Sequence, residues 1–331
     1  ATDLGNDQAE GQIFYSSTDN EFKTAVASAA WHSSANVITA RRTAASAGTQ
    51  TANFIAGGFI PGFVASTEEY NGTGWTAGGD MPASSYAAFG AGTQTAGLVY
   101  GGSTDPNGQE GITTTIEYNG SSWTAGGALS QKRWNSSAGA GTQTAALAST
   151  GYNDGNVTNS EEYNGSSWTA GNAIDTAKRG QGQCGTQTAS VLFGGIEPPG
   201  SRVATVEEYD GTNYSSATSL PANRSDMGAS GTQTAALGFA GYIDPGRSTN
   251  TFLYDGTSWT AQPNLATAID GGGGSRGGTS SAALSSTGTA PPGLTKATEE
   301  FNITANTVTA GAWASGGNLN TGGRAGAAGS G

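Results

Sequence analysis

A five-residue sequence, Gly-Thr-Gln-Thr-Ala, recurs through this chain of 331 residues at nearly constant intervals. Its copies begin at Gly48, Gly92, Gly141, Gly185 and Gly231, and a divergent copy, Gly-Thr-Ser-Ser-Ala, begins at Gly278. An aromatic residue follows each copy, and these residues are Trp75, Trp123, Trp168, Tyr214, Trp259 and Trp313. Repeats of 44 to 49 residues, each with such a glycine-containing sequence and a following aromatic residue, are typical of β-propeller blades.

Turn chemistry divides one repeat, residues 133–171, into four strands. Small residues from Ser136 to Ala140 suit a crowded inner strand, and Gly141-Thr142 makes a tight turn into a second strand over 143–148. Glu161-Glu162-Tyr163 begins the third strand, and Asn164-Gly165 is a strong hairpin signal. The fourth strand carries Trp168, whose indole is large enough to pack between neighbouring blades.

The two ends of the chain predict how the ring closes. Six complete repeats run from about residue 43 to residue 317, and residues 324–331 match a further first strand. Residues 11–17 alternate like a second strand, Asn20-Glu21-Phe22 matches a third strand, and Trp31 occupies the outer aromatic position. We therefore predict an all-β, seven-bladed propeller with four antiparallel strands in each blade. Its seventh blade would combine N-terminal strands two to four with C-terminal strand one.

The predicted domain organisation follows from these repeats. Residues 1–10 are expected to form a lead-in, and residues 11–331 a single propeller domain. The segment 23–30 is the weakest point, because it could equally form a short helical turn.

Three features resemble the kelch motif of propellers of the galactose oxidase type. They are the double glycine after the second strand, as at Gly101-Gly102, the acidic third strand ending in Tyr, and the Trp of the fourth strand. The variant with Gly-Thr-Gln-Thr-Ala and Tyr-Asn-Gly-Ser-Ser-Trp is similar to propeller repeats in structural and fibre proteins of marine bacteriophages. This resemblance covers residues 11–331 and implies a kelch-type propeller in an extracellular virion.

Charge and composition argue against several function classes. The net charge of −12, with 13 scattered Lys and Arg residues, argues against a nucleic-acid-binding surface. No apolar run approaches the length of a membrane span, so no membrane insertion is expected. The lone cysteine, Cys184, is expected to be buried in an inner strand. We find no phosphate-binding loop and no Ser-His-Asp set.

Enzymatic chemistry finds little support in the residue pattern. The single histidine, His32, cannot build the copper site of galactose oxidase, so no metal and no cofactor are predicted. Paired glutamates such as Glu161-Glu162 point to opposite faces of a strand and are expected to be solvated. Arginines recur ten or eleven residues after the blade aromatic, at Arg42, Arg133, Arg179, Arg224 and Arg324. Repetition favours a structural role, but a ring of arginines at one mouth of the channel could meet an anion. A sialidase-type or sugar-epimerase-type enzyme therefore stays open as an alternative.

The loops after each second strand differ in length and content, whereas the turns on the opposite face repeat in nearly every blade. Diverse loops on a rigid scaffold favour a recognition surface, and relaxed constraint on solvent loops is the alternative interpretation. The expected ligand-binding residues on these loops are Phe59, Phe63, Asp105, Tyr152, Asp154, Tyr242, Ile243 and Asp244.

We therefore predict a non-enzymatic structural and recognition protein, such as a phage appendage, fibre or decoration protein. Its expected partner is a host-surface glycan or another virion protein, and a homo-oligomer is compatible with this role. A bacterial surface adhesin is a further alternative.

Overall fold

The computed structural model describes residues 13–16, 21–105, 110–135, 139–274 and 278–310, and within these residues it contains strands and no helix. Six antiparallel sheets follow one another along the chain. In each sheet the strands are neighbours in the order first, second, third and fourth. The chain divides into two compact units, residues 29–303 and residues 1–28 with 304–331.

The strands of the six blades have these bounds. The first strands are Ala45–Gly48, Phe89–Thr93, Ala140–Thr142, Gly182–Thr186, Gly228–Thr232 and Gly273–Gly274. The second strands are Asn53–Ala56, Ala96–Tyr100, Ala145–Ser149, Ala189–Phe193, Ala235–Phe239 and Ala282–Ser286. The third strands are Thr67–Tyr70, Thr115–Tyr118, Ser160–Tyr163, Val206–Tyr209, Thr251–Tyr254 and Thr298–Ala310. The fourth strands are Trp75–Ala77, Trp123–Ala125, Trp168–Ala170, Tyr214–Ala217, Trp259–Gln262 and, in blade 6, Glu21–Ser34.

Among the described residues, four short hairpins follow second strands, in blades 1, 4, 5 and 6. They pair Phe59–Ile60 with Gly62–Phe63, Ile196–Glu197 with Ser201–Arg202, Tyr242–Ile243 with Gly246–Arg247, and Thr289–Ala290 with Gly293–Leu294. In the unit formed by 1–28 and 304–331, the strand Ile13–Ser16 pairs antiparallel with residues 21–24.

The first strands of the blades contact one another in a cycle, which includes contacts of blade 6 with blades 5 and 1. In the link before each first strand, one residue adopts a positive φ. The N–H of this residue donates to the carbonyl of the corresponding residue in the preceding blade. These six residues, called the link ring below, are Thr43, Ala87, Asn135, Gly180, Asp226 and Gly271. The bonds return from Thr43 to Gly271 at 2.7 Å, so residues 29–303 form a six-bladed β-propeller.

Small residues allow the first strands to approach closely. A Cβ added to Gly90 would lie 2.3 Å from the Ser46 carbonyl oxygen of the neighbouring blade. Cys184 is fully buried in the first strand of blade 4, which confirms that prediction. His32 is exposed on the strand Glu21–Ser34, as expected.

The blade aromatics pack between blades. Trp123 of blade 2 lies 5.7 Å, centroid to centroid, from Phe54 of blade 1, and its indole N–H donates to Thr67 Oγ1 of blade 1 at 3.2 Å. Corresponding indole-to-hydroxyl bonds join Trp168 to Thr115, Trp75 to Thr298, and Trp31 to Thr251. Trp31 therefore acts as the aromatic of blade 6, next to blade 5. The position of Trp313 lies outside the described residues.

The blade number was predicted wrongly, because the propeller has six blades and not seven. In blades 1 to 5 an Asn or Asp ends the third strand, and the Gly after it has a φ near +90°, as for Gly120 at 89°. The Asn119 side-chain oxygen accepts the N–H groups of Ser121 and Ser122, which closes this turn. In blade 6 the corresponding residue is Ile303, and a β-branched residue strongly disfavours positive φ. The third strand of blade 6 therefore continues from Thr298 to Ala310 without a hairpin.

The N-terminal segment takes the fourth place in blade 6. Residues 21–34 form one continuous strand, so no turn separates Glu21 from Trp31, and the helical alternative for 23–30 is wrong. The predicted pairing of residues 324–331 with residues 11–17 falls largely outside the described residues.

The paired glutamates are partners between and within blades, which corrects their expected solvation. The second member of each pair accepts a hydrogen bond from the third-strand Tyr of the next blade, as Glu69 does from Tyr118 at 2.7 Å. The same bond joins Tyr163 to Glu117, Tyr209 to Glu162, Tyr254 to Glu208, and Tyr70 to Glu300. Burial and this bond raise the pKa of Tyr118 to about 12. The bond is absent between blades 5 and 6, because Phe301 has no hydroxyl and Leu253 has no carboxylate. Both residues belong to one apolar cluster.

The glutamine of the repeated five-residue sequence holds adjacent blades together. Gln94 Nε2 of blade 2 donates to the carbonyls of Asn53 and Tyr70 in blade 1, at 2.9 and 2.8 Å. The equivalent residues Gln50, Gln143, Gln187 and Gln233 each bind two carbonyls of the preceding blade in the same way. These side-chain bonds therefore tie each blade to the backbone of the preceding one.

Candidate functional site

The loops after the second strands and the links before the first strands lie on one face of the propeller, as predicted. Backbone bridges join the two sets in the same blade, for example between Trp134 and Tyr152 and between Ser225 and Tyr242. We call this surface the loop face.

A continuous series of aromatic rings crosses the loop face from blade 1 to blade 3. Phe59 and Phe63 lie 6.0 Å apart, and Phe63 stacks on Tyr86 at 4.6 Å with an interplanar angle of 12°. Tyr86 lies 5.7 Å from Trp134, which meets Tyr152 edge to face at 5.5 Å. All five side chains are partly exposed. We call these five residues the aromatic row.

An arginine stands at each end of the aromatic row. The Arg42 guanidinium lies 4.8 Å from the centre of the Phe59 ring, and that of Arg179 lies 4.9 Å from the Tyr152 ring. Arg179 also donates to Asn156 Oδ1 at 2.9 Å. These contacts fix the two cations over aromatic faces, where Arg is attracted to the ring quadrupole.

A second group lies where blades 4 and 5 meet on the same face. Arg202 packs 4.0 Å from the centre of the Tyr242 ring and forms an ion pair of 2.7 Å with Asp244. Its Nε donates to Ser225 Oγ at 3.2 Å. The turn residue Asp244 is mostly exposed, so this ion pair is a surface feature.

Asp226 of the link ring is a carboxylate of the loop face with a strongly raised pKa. Burial and, to a smaller extent, the nearby charge of Asp270 raise its pKa to about 6, against the opposing effects of Ser225, Arg202 and Arg179. The Ser225 hydroxyl donates to Asp226 Oδ2 at 2.8 Å. Asp226 is partly exposed.

The structure brings together some of the predicted ligand residues. Phe59, Phe63 and Tyr152 belong to the aromatic row, and Tyr242 and Asp244 belong to the group around Arg202. Ile243 is partly exposed in the same hairpin as Tyr242. Asp154 joins neither group and is an exposed turn residue with a φ of 54°. Asp105 donates its backbone N–H to Ser103 Oγ, and it lies near the aromatic row, because burial and then the charge of Asp105 raise the pKa of Tyr86, against Arg42.

Sequence reasoning missed Tyr86 and Trp134, which connect the predicted residues into a row. Both lie in the links before first strands, whereas the predicted ligand residues all belong to the loops after second strands. Their common signal was available: each immediately precedes a link-ring residue, at the position that Arg42, Arg179 and Ser225 occupy in other blades. Arg42, Tyr86, Trp134 and Arg179 at this position are partly or fully exposed, whereas Ser225 is buried.

The recurring arginines divide into two sets. Arg133 and Arg224 are almost completely buried, which agrees with a structural role, whereas Arg42 and Arg179 lie on the loop face. Arg324 lies outside the described residues.

The opposite mouth of the channel is lined, among the described residues, by glycines and threonines. It forms a cavity of about 230 Å³ that is lined by Gly92, Thr93, Gly141, Thr142, Gly185, Thr186, Gly231, Thr232 and Gly278. Only hydroxyl and backbone groups of these residues are available there. The described residues also contain no cluster of three or more potential metal ligands among His, Cys, Asp and Glu.

Comparison with known proteins supports the fold and leaves the activity open. No family model matches the chain, and no curated protein matches it significantly. The solved structure titled "Structure of YjhT" superposes with a TM-score of 0.68 and 13% sequence identity, covering 84% of this chain and 99% of that one. At this identity the likeness shows a shared β-propeller fold alone. The described part of the chain holds no helix that could span a membrane.

Replacing Asp226 by Asn should stabilise the protein at pH 7.5 and have little effect near pH 4. The folded-state pKa of about 6 lies above the ordinary value of 3.8, so ionisation costs folding free energy as pH rises from about 4 to 6. The cost is then fully present above pH 6, and we expect a gain of about 1–3 kcal/mol for the variant there. Thermal unfolding at both pH values measures it. Asp154→Asn, at an exposed turn, is the control and should show no such difference; equal effects of Asp226→Asn at both pH values would contradict the assignment.

Proposed function

We propose that this chain is a non-enzymatic recognition protein that binds a glycan on its loop face. The aromatic row carries the proposal: five neighbouring, partly exposed rings with centroid separations of 4.6 to 6.0 Å form one extended surface. The apolar faces of sugar rings stack on such side chains, and aromatic residues give contact area at low entropic cost.

The charged ends of the row suit the polar parts of a glycan. Arg42 and Arg179 present several N–H donors in a fixed plane, which hydroxyl and carboxylate groups of sugars can accept. Aromatic residues and arginines together are also the residue types that dominate binding energy at recognition surfaces. The described residues that line the opposite mouth are only glycines and threonines, which favours the loop face as the binding surface.

The biological setting of this proposal comes from the repeat resemblance. Kelch-type repeats similar to those of phage structural and fibre proteins favour a virion appendage, with a host-surface glycan as the partner. The neighbouring genes test this setting, because adjacent portal or tail genes would support it and an unrelated operon would count against it.

Binding is tested by screening the purified protein against immobilised bacterial surface oligosaccharides and then titrating the tightest one in solution. Phe63→Ala and Tyr152→Ala should each weaken this binding at least tenfold, because each removes a ring from the row. Thr142→Ala, at the opposite mouth, is the matched control and should bind like the unchanged protein. Equal loss in the control, or unchanged binding in both row variants, would overturn the proposal.

A glycan-processing enzyme is a second candidate, favoured by one observation. Asp226, with a pKa raised to about 6, is influenced by Asp270, Arg202 and Arg179, and such perturbed groups cluster at catalytic sites. Prolonged incubation with the screened oligosaccharide, followed by mass spectrometry and NMR, separates the two functions. New sugar species that disappear with Asp226→Asn would replace the recognition proposal with this one.

A further inference from the structure

A buried ion pair fills the same place in three blades. A basic residue of the link before the first strand meets a third-strand glutamate: Arg41 with Glu68 at 2.5 Å, Arg133 with Glu161 at 2.7 Å, and Lys178 with Glu207 at 2.6 Å. The side chains of all three pairs are at most 5% exposed.

The arginines of these pairs also bind two backbone carbonyls of their own blade. Arg41 Nη1 donates to Gly57 O and Ser66 O, at 3.0 and 2.8 Å. Arg133 Nη1 donates to Thr150 O and Asn159 O in the same way. The glutamates in turn accept backbone N–H groups of the link, as Glu68 does from Ile38.

Blade 2 lacks the arginine, the glutamate and one backbone N–H donor of this arrangement. Ser85 stands where the arginine does in blades 1 and 3, and Ile116 stands where the glutamate does. Pro82 stands where Ile38 and Ser130 donate their N–H groups to the glutamate, and proline has no N–H to donate. Together the three changes leave no buried charge without a partner, although they leave the buried Ser85 hydroxyl without one among the described residues.

Blade 5 also lacks the glutamate and the N–H donor, and there an aromatic ring fills the space. There Phe252 replaces the glutamate and Pro221 replaces the N–H donor, while Arg224 remains and packs 4.6 Å from the centre of the Phe252 ring. In blade 2 Ser85 is much smaller than the arginine of the other blades, so the space of the guanidinium is left open.

This space is a cavity of about 210 Å³. Its walls are mainly apolar and include Met81, Val99 and Ile116, and Gly101 and Thr114 also line it. The latter two correspond to the residues whose carbonyls bind the guanidinium in blade 1. Ser85 lines the cavity as well; it is 8% exposed, and its hydroxyl oxygen has no hydrogen-bond partner among the described residues.

We propose that this cavity binds a small neutral molecule with an apolar body about the size of a benzene ring and one hydroxyl group. An apolar protein cavity of about 150 Å³ is large enough to bind benzene, so the volume suffices. The Ser85 hydroxyl and the two carbonyls provide a donor and acceptors for one hydroxyl. A cation is disfavoured, because Ile116 supplies no carboxylate to compensate a buried charge.

The two methionines of the chain make the test specific. Met81 lines the cavity, whereas Met227 lies in the core of blades 4 and 5. In protein labelled with ¹³C at the methionine methyl groups, titration with benzyl alcohol should shift the Met81 signal saturably and leave Met227 unchanged. Toluene, which lacks the hydroxyl, should bind about five- to tenfold more weakly. No saturable shift, or equal shifts at both methionines, would overturn the proposal.

Variants that follow the pattern of the other blades provide the controls. The double variant Ser85→Arg/Ile116→Glu restores the ion pair of blade 3 and should abolish binding. Ile116→Phe follows blade 5, fills the cavity without a charge, and should also abolish binding. It provides the test if the double variant does not fold. Ser85→Ala should reduce benzyl alcohol to the affinity of toluene. Unchanged benzyl alcohol binding in Ile116→Phe would place the ligand elsewhere and refute the cavity as its site.

Discussion

Replacing Arg133 by Met should lower the free energy of unfolding by about 3–5 kcal/mol. The side chains of Arg133 and Glu161 are both fully buried, and removing the cation leaves the carboxylate without its partner. The variant also loses the hydrogen bonds to the carbonyls of Thr150 and Asn159. Urea unfolding followed by tryptophan fluorescence measures the change.

Two comparisons separate the effect of the buried charge from that of lost packing. The double variant Arg133→Met/Glu161→Leu removes both charges and should recover much of the stability, because an apolar pair can replace a buried ion pair. Lys132 and Glu110 form an exposed ion pair of similar length, 2.7 Å, so Lys132→Met should cost less than about 1 kcal/mol. A loss in Arg133→Met no greater than in Lys132→Met would contradict the buried assignment.

Replacing Trp123 by Ala should lower the free energy of unfolding by about 3–5 kcal/mol, through lost packing between blades 1 and 2. The indole is 9% exposed and contacts Phe54 and Tyr118, with centroid separations of 5.7 and 4.6 Å. Its N–H also donates to Thr67 Oγ1 and to Gly79 O. Thermal and urea unfolding measure the loss.

Blade 4 supplies the matched control for this variant, because Tyr214 occupies the same position and bonds to Ser149 Oγ at 2.8 Å. Trp123→Tyr should therefore cost clearly less than Trp123→Ala. Below the unfolding transition, both variants should keep the glycan affinity of the unchanged protein. A stable Trp123→Ala variant would mean that the blade aromatics are not the main contact between blades.

The sequence predicted the blades well, because each blade depends on local signals. The Asn-Gly turns, the small inner-strand residues and the fourth-strand aromatics all act within one repeat. Trp75, Trp123, Trp168, Tyr214 and Trp259 lie in fourth strands, as predicted. The predicted number of blades was wrong because of one residue. Ile303 replaces the turn glycine, and the repeat spacing alone does not reveal this replacement.

Partners in other blades were beyond sequence reasoning. Glu69 was expected to be solvated, yet its partner Tyr118 lies 49 residues further along the chain. In the same way, the charges that act on Asp226 belong to three residues of other links and loops, Asp270, Arg202 and Arg179. Contacts that join repeats are set by the closed ring, and a description of one repeat cannot contain them.

Hydrogen exchange measured by mass spectrometry, with and without the tightest oligosaccharide from the screen, tests the central claim most directly. The claim is that the loop face is the binding face. We expect slower exchange in residues 59–64, 86–87, 133–135 and 152–156, and unchanged exchange in the Gly-Thr turns of the opposite mouth. Slower exchange confined to those turns, with the loop face unchanged, would contradict the claim.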